Sequence, residues 1–475
     1  MKKIALSFIL LGSLFVTSCD KGFEELNTNP NSPVVVPAHL LINDVVFSAT
    51  NSMYSTFVGG DMGECWAQHW SKVQYNDEER YSPRNNVLEV TVWKTLYEDV
   101  VAGGKSVEKL AAAEENSSVE GVGLVLQAYG YAVLTDMFGD IPFSEATRAD
   151  EGIFAPKYDS QQDVYTGILA MLDQANTLFA ADNGTIPSTS DILYSGDVSK
   201  WRKFANSLKF RCLMRMSGEV NVATQLQELM SRPMFTSNDD EAKLVYLGAD
   251  PSANPIFETI VFGNRNEFKV NSVLVDMLTD LSDPRLEIYA QPNTDGEYRG
   301  KPSGYANVPN DDYDYNNVSP IGTRYLEATA PGYWMSFSEL SFLMAEAAQK
   351  GYITGDAKTY YEQGITASFE ANGLSSADAA DYYGQGTVAY SSASGLQQIA
   401  EQNWLGLFCQ GVEAWTEWRR TGFPVLSPAF ESFIPTIPAR YTYPGIEQSV
   451  NTASYDAAVA NQGPNLLTTK VWWMN

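Results

Sequence analysis

The chain has 475 residues, a formal net charge of −27, 44% hydrophobic and 12% aromatic residues. That charge excludes a general nucleic-acid binder, because no basic face is there to neutralise phosphates. It also disfavours strongly anionic ligands unless one local basic pocket overrides it. Four cysteines, Cys19, Cys65, Cys212 and Cys409, stand far apart and form neither a disulfide framework nor a metal-ligand pattern.

The chain opens with Lys2 and Lys3, then an apolar run from Ile4 to Val16, then Val16-Thr17-Ser18 ahead of Cys19. This order predicts a secretory signal over 1–18, since the run is shorter than the roughly 20 apolar residues a membrane span needs. A cysteine directly after small residues is the pattern of a lipobox, with Cys19 as the lipidated first residue. Residues 19–37 read as a tether, rich in turn formers such as Asn27-Thr28-Asn29-Pro30. Residues 38–475 then read as one large α-rich domain.

Helical signals dominate from there on. Gly121 to Phe138 is apolar on nearly every face and predicts a buried helix stopped by Gly139 and Pro142. Ser160 with Asp163 resembles a capping box opening a helix through Val164, Ile168, Leu172 and Phe179. Asp197 or Ser199 caps another that carries Trp201, Phe204, Leu208, Cys212 and Met216 at helical spacing. Ser336 and Glu339 repeat the capping pattern ahead of Leu340, Leu343 and Ala347. A turn from Gly351 to Gly355 leads to a partner helix with Tyr361, Ile365 and Phe369. That pair spans about 35 residues, near the tetratricopeptide period. Leu396 to Gly411 and Val412 to Thr421 complete the helical stretches. Residues 139–159, 182–196, 291–333, 373–395 and 423–470 read as long loops, which in a compact domain are usually functional.

Several blocks resemble signatures of the SusD/RagB family. They are Tyr129 to Phe143, Trp201 to Arg211, Asp283-Pro284-Arg285-Leu286, Ser338 to Ala347 and Glu413 to Gly422, followed by Ile437-Pro438-Ala439-Arg440, Tyr443-Pro444 and Glu447. The order and the short chain are closest to the SusD-like branch. The resemblance implies an all-α scaffold of tetratricopeptide-like helix pairs with long ligand-binding loops. It also implies a lipoprotein of Bacteroidetes outer membranes, exposed on the cell surface. Such proteins cap a SusC-like TonB-dependent transporter and deliver captured oligosaccharide to it, or peptide in some members.

The residues offer little catalytic chemistry. His39 and His69 have no neighbouring partner pattern, and no nucleophile elbow, zinc-binding helix or phosphate loop occurs. Glu413 and Glu417 share a helix face but read as scaffold, with Glu417 pairing Arg420 and Trp415 packing under Arg419. Asp312, Asp314 and Asn316 alternate like a calcium loop, yet Asn317 replaces its glycine and Thr323 its final glutamate. We therefore assign no metal, cofactor or catalytic residue, although an irregular calcium site stays open. A surface-tethered hydrolase remains the alternative class, since two carboxylates suffice for one. For binding, loop aromatics offer stacking area at low entropic cost. Tyr313, Tyr315 and Trp334 are the leading candidates and Trp70, Tyr75 and Tyr81 the next, with Asn76, Asn264 and Arg265 as directional partners. Trp66 and Trp70, four apart, also fit a buried helical stripe.

Overall fold

The computed structural model describes residues 36–305 and 311–474. The signal segment, Cys19 and the tether up to residue 35 lie outside these. Long helices packed side by side make up the frame, and the strands among the described residues form three two-stranded antiparallel ladders. The architecture is all-α, as the helical stripes and the family resemblance lead one to expect. No described helix is long and apolar enough to cross a membrane.

The central helix, Ser117–Phe138, is buried on nearly all sides. Its start is fixed by Asn116, whose side chain accepts from Val119 N–H, and its end by Gly139 at φ +82°. It packs between Ala102–Ala113 and Gln161–Ala181, and the latter packs in turn on Val198–Met216. Ser160 caps Gln161–Ala181 by accepting from Asp163 N–H, and Asp197 caps Val198–Met216 through Ser199 and Lys200 N–H. The expected C-terminal pair is present as Phe337–Gln349 and Ala357–Ala371. These two helices approach closely because Gly364 has no side chain; a Cβ there would stand 2.8 Å from the Phe342 ring. The apolar core runs from Ala38 to Trp473, and Cys65, Cys212 and Cys409 are free and buried within the fold.

Two segments read as loop contain α-helices: Ser376–Tyr383 within 373–395, and Gly445–Val450 and Thr452–Gln462 within 423–470. Their compositions are polar and small, and none buries more than two residues, so no apolar stripe announces them. The stretch 396–411 is not one helix. It stops at Gly406, passes through Cys409 at φ +62°, and restarts at Gly411. That restart allows a backbone contact with Gly63, where a Cβ would meet the Gly411 carbonyl carbon at 2.6 Å. This contact seats Thr56–Glu64, a π-helical stretch that carries Asp61.

Charged side chains are buried inside the frame. Arg211 grips Glu339 at 2.5 Å and Arg215 contacts Glu413, Glu417 and, at 3.4 Å, Asp136. Arg420 pairs with Glu346 at 2.5 Å and Glu417 at 2.7 Å. The Arg419 guanidinium lies 3.6 Å from the Trp415 ring centroid and donates to the Asp136 and Ala439 carbonyls. The pairings of Glu417 with Arg420 and Trp415 with Arg419 are thus those expected from helical spacing. Ser336 does cap its helix through Glu339 N–H, but the Glu339 carboxylate is held by Arg211.

Candidate ligand-binding site

Strand Trp70–Lys72 pairs antiparallel with Phe268–Val270, in the register Trp70 to Val270 and Lys72 to Phe268. Val73 N–H extends the pairing to the Glu267 carbonyl at 2.9 Å. Lys269 also bridges to Pro320, which brings in the segment that follows Tyr315. Three stretches distant in sequence, 74–78, 264–268 and 315, therefore meet over Thr56–Glu64. Between them lies a cleft of about 730 Å³.

Tyr75 dominates the rim. It is 63% exposed and has φ +55°, a left-handed conformation that a non-glycine residue adopts at a cost. Asn264, which lines the same cleft, is likewise left-handed at φ +51°. The Arg265 guanidinium lies 5.5 Å from the Tyr75 ring centroid, and its Nε donates to Glu267 Oε1 at 2.7 Å. Tyr315 is half-buried and its hydroxyl donates to Gln74 Oε1 at 2.8 Å. The side chains of Asn264 and Asn266 have no hydrogen-bond partner among the described residues and line the same space.

The floor is charged but compensated. Lys72 Nζ stands 2.8 Å from Asp61 Oδ1, and Arg84 joins Asp61 at 3.7 Å and Glu78 at 2.5 Å. Burial pushes the Asp61 carboxyl up to about 6 against the opposing pull of Lys72. Phe57 and Phe268 supply the apolar part of the lining. An aromatic face beside unpartnered amides and paired charges is a surface suited to a neutral polyhydroxylated ligand.

The cleft thus contains Tyr75, Tyr315, Asn264 and Arg265 from the sequence candidates. Tyr313 lies apart from it, 5.9 Å from Tyr305 and beneath the Arg299 guanidinium at 5.4 Å. Four candidates are corrected. Trp334 is 3% exposed, because it sits on the inward face of strand Gly332–Met335 and not in a loop. It stacks on Tyr129 at 4.0 Å and its indole donates to Thr50 Oγ1 at 2.8 Å. Trp70 is wholly buried, on a strand and not on the helix that Trp66 belongs to, with its ring 3.1 Å from a Cβ placed on Gly60. The buried Tyr81 hydroxyl accepts from Ala429 N–H, and the Asn76 amide donates to the Tyr305 carbonyl. None of these four offers a ligand a free face.

Phe57, Asp61, Lys72, Glu267 and Phe268 line the cleft without any signal in the sequence. Asn266 had one, because it extends the Asn264-Arg265 pair. Among the described residues no group of three or more His, Cys, Asp or Glu is arranged to hold a metal ion.

A family model described as starch-binding and associating with the outer membrane matches residues 30–444. The chain belongs to this SusD-like family. Solved structures agree with it. A chitin-binding protein is 28% identical, with a TM-score of 0.84, covering 93% of this chain and 100% of its own. A SusD homologue from Bacteroides fragilis is 25% identical at a TM-score of 0.78, with coverages of 93% and 100%. A chitin-binding SusD homologue from Flavobacterium johnsoniae, 24% identical at a TM-score of 0.81 and covering 92% and 99%, shares the fold. No curated protein matches the chain by sequence.

Proposed function

We propose that this SusD-like protein captures an oligosaccharide in the cleft between Tyr75 and Tyr315 and passes it to a SusC-like TonB-dependent transporter. In this reading the lipid on Cys19 holds residues 38–475, read as one domain, at the cell surface. The observation that carries the binding assignment is the presence in one cleft of a strained, exposed Tyr75 and of the Asn264 and Asn266 amides, which have no partner among the described residues. Exposed aromatic area held in a costly backbone conformation points to use, since packing does not require it. The chitin-binding relative makes a chito-oligosaccharide the first ligand to try.

Binding without catalysis fits the carboxylates. Asp61, Glu78 and Glu267 each have a cationic partner, which suits a structural floor better than a free general acid. Titrating N-acetylchitotetraose into the protein and chromatographing the recovered sugar tests this. Saturable binding with intact tetramer supports the proposal, and shortened products would move it to a hydrolase. Binding of peptides in place of the sugar would move it to the peptide-binding members. Separately, Cys19→Ala should release the protein from the outer-membrane fraction, and a variant that still pellets after a salt wash would contradict the lipid anchor.

A further inference from the structure

The cleft does not end at Tyr315. A second lobe of about 310 Å³ lies beyond it and shares Tyr315 and Asn266 with the first. Lys269, Asn293, Thr294 and Asn316 complete its polar lining. Lys269 is the one charged side chain there, and it is 4% exposed. Its ammonium donates to the Tyr315 carbonyl at 2.9 Å and lies 5.9 Å from that ring's centroid. An ammonium has three donors, and this bond uses one. In the first lobe Lys72, Arg84 and Arg265 each sit against a carboxylate. Lys269 forms no such ion pair among the described residues. Burial lowers its pKa to about 8, with Asp314 opposing that shift, so the charge is held at a cost. The amides of Asn266 and Asn316 have no partner among the described residues and stand on the same lining.

Resting on the oligosaccharide reading of the first lobe, we infer that the second lobe is a subsite for an acidic sugar unit, whose carboxylate takes the free donors of Lys269. A bound chain then crosses Tyr315, with a neutral unit against Tyr75 and an acidic unit against Lys269 and Asn316. The exposed Asp295, Glu297, Asp312 and Asp314 on the neighbouring segments oppose an anion, Asp314 closely enough to act on Lys269, but as solvent-facing charges they are screened by salt. The buried ammonium acts at contact and is screened less.

The test compares two probes on the same protein, a hyaluronan tetrasaccharide with alternating uronic acid and N-acetylchitotetraose. The wild type should bind the acidic probe at least tenfold more tightly. Lys269→Gln should remove that advantage while keeping its affinity for chitotetraose, which also reports that the variant is folded. Asn316→Asp, an exposed change that puts a like charge in the lobe, should weaken the acidic probe about tenfold and spare the neutral one. Equal wild-type affinities, or an advantage that survives both substitutions, would overturn the inference and leave the first-lobe reading standing. Failure to bind either probe would overturn both.

Discussion

Arg215 and Arg265 use the same guanidinium in opposite ways. Arg215 is 2% exposed and given over to Glu413, Glu417 and Asp136, deep between helices. Arg265 has a side chain 47% exposed, pairs once with Glu267, and turns towards Tyr75 at the rim of the cleft. Aromatics divide in the same manner, with Trp334 stacked in the core on Tyr129 and Tyr75 left open. The difference teaches that the helical frame sets its buried guanidinium charges against carboxylates, as with Arg211, Arg215 and Arg420, whereas the cleft leaves Tyr75 and the Asn264 and Asn266 amides open. Stability and binding should therefore respond to different substitutions.

The largest effect should come from Arg215→Met, which strands buried carboxylates. Losing one partner of a buried ion cluster costs about 3–5 kcal/mol. Denaturant unfolding should show that loss, and an unchanged midpoint would break the comparison. Next is Glu346→Gln. Burial alone would raise the Glu346 carboxyl, but Arg420 and Lys350 outweigh it and bring it down to about 2 from an ordinary value of 4.5. The folded state thus favours the ionised form, so this contribution is full above about pH 4.5 and is lost as pH falls towards 2. The shift is worth about 3 kcal/mol at neutral pH. Unfolding curves of wild type and variant should differ by that amount at pH 7 and converge near pH 2; a constant gap would contradict the assignment. The smallest effect belongs to Tyr315→Phe, which removes the hydroxyl bond to Gln74 from a half-exposed ring. Ligand titration should show a loss of about 1 kcal/mol or less, a fewfold change in Kd, with no change in melting temperature. A larger loss would mean that the hydroxyl itself touches ligand.

The frame was legible because its causes are local. Asp197, Ser160 and Gly139 act within one turn of the helix they start or stop, and Arg419 meets Trp415 four residues away. The blocks that carry the family resemblance lie in this frame: Arg211, Glu339, Glu417 and Arg285 are buried partners in ion pairs. Local partners were readable, as Arg420 was for Glu417, but distant ones were not, since Arg211 reaches Glu339 across the fold. The cleft was legible only in part. Tyr75 and Asn264 line one cleft because a three-residue strand pairs with another far along the chain, and such short strands leave no periodic signal. Trp334 misled for the same reason. It follows Pro331-Gly332 in a stretch of loop composition, and only pairing with Ala242–Leu244 turns it inward.

One paired measurement tests the division of labour most directly: thermal melts and N-acetylchitotetraose titrations on Tyr75→Ala and Trp334→Ala together. Tyr75→Ala should weaken binding tenfold to thirtyfold, about 2 kcal/mol, and leave the melting temperature where it was. Trp334→Ala should cost about 3–5 kcal/mol of stability and, well below its melting temperature, bind with wild-type affinity. If Trp334→Ala loses binding while fully folded, or Tyr75→Ala binds as wild type does, the cleft is not the site.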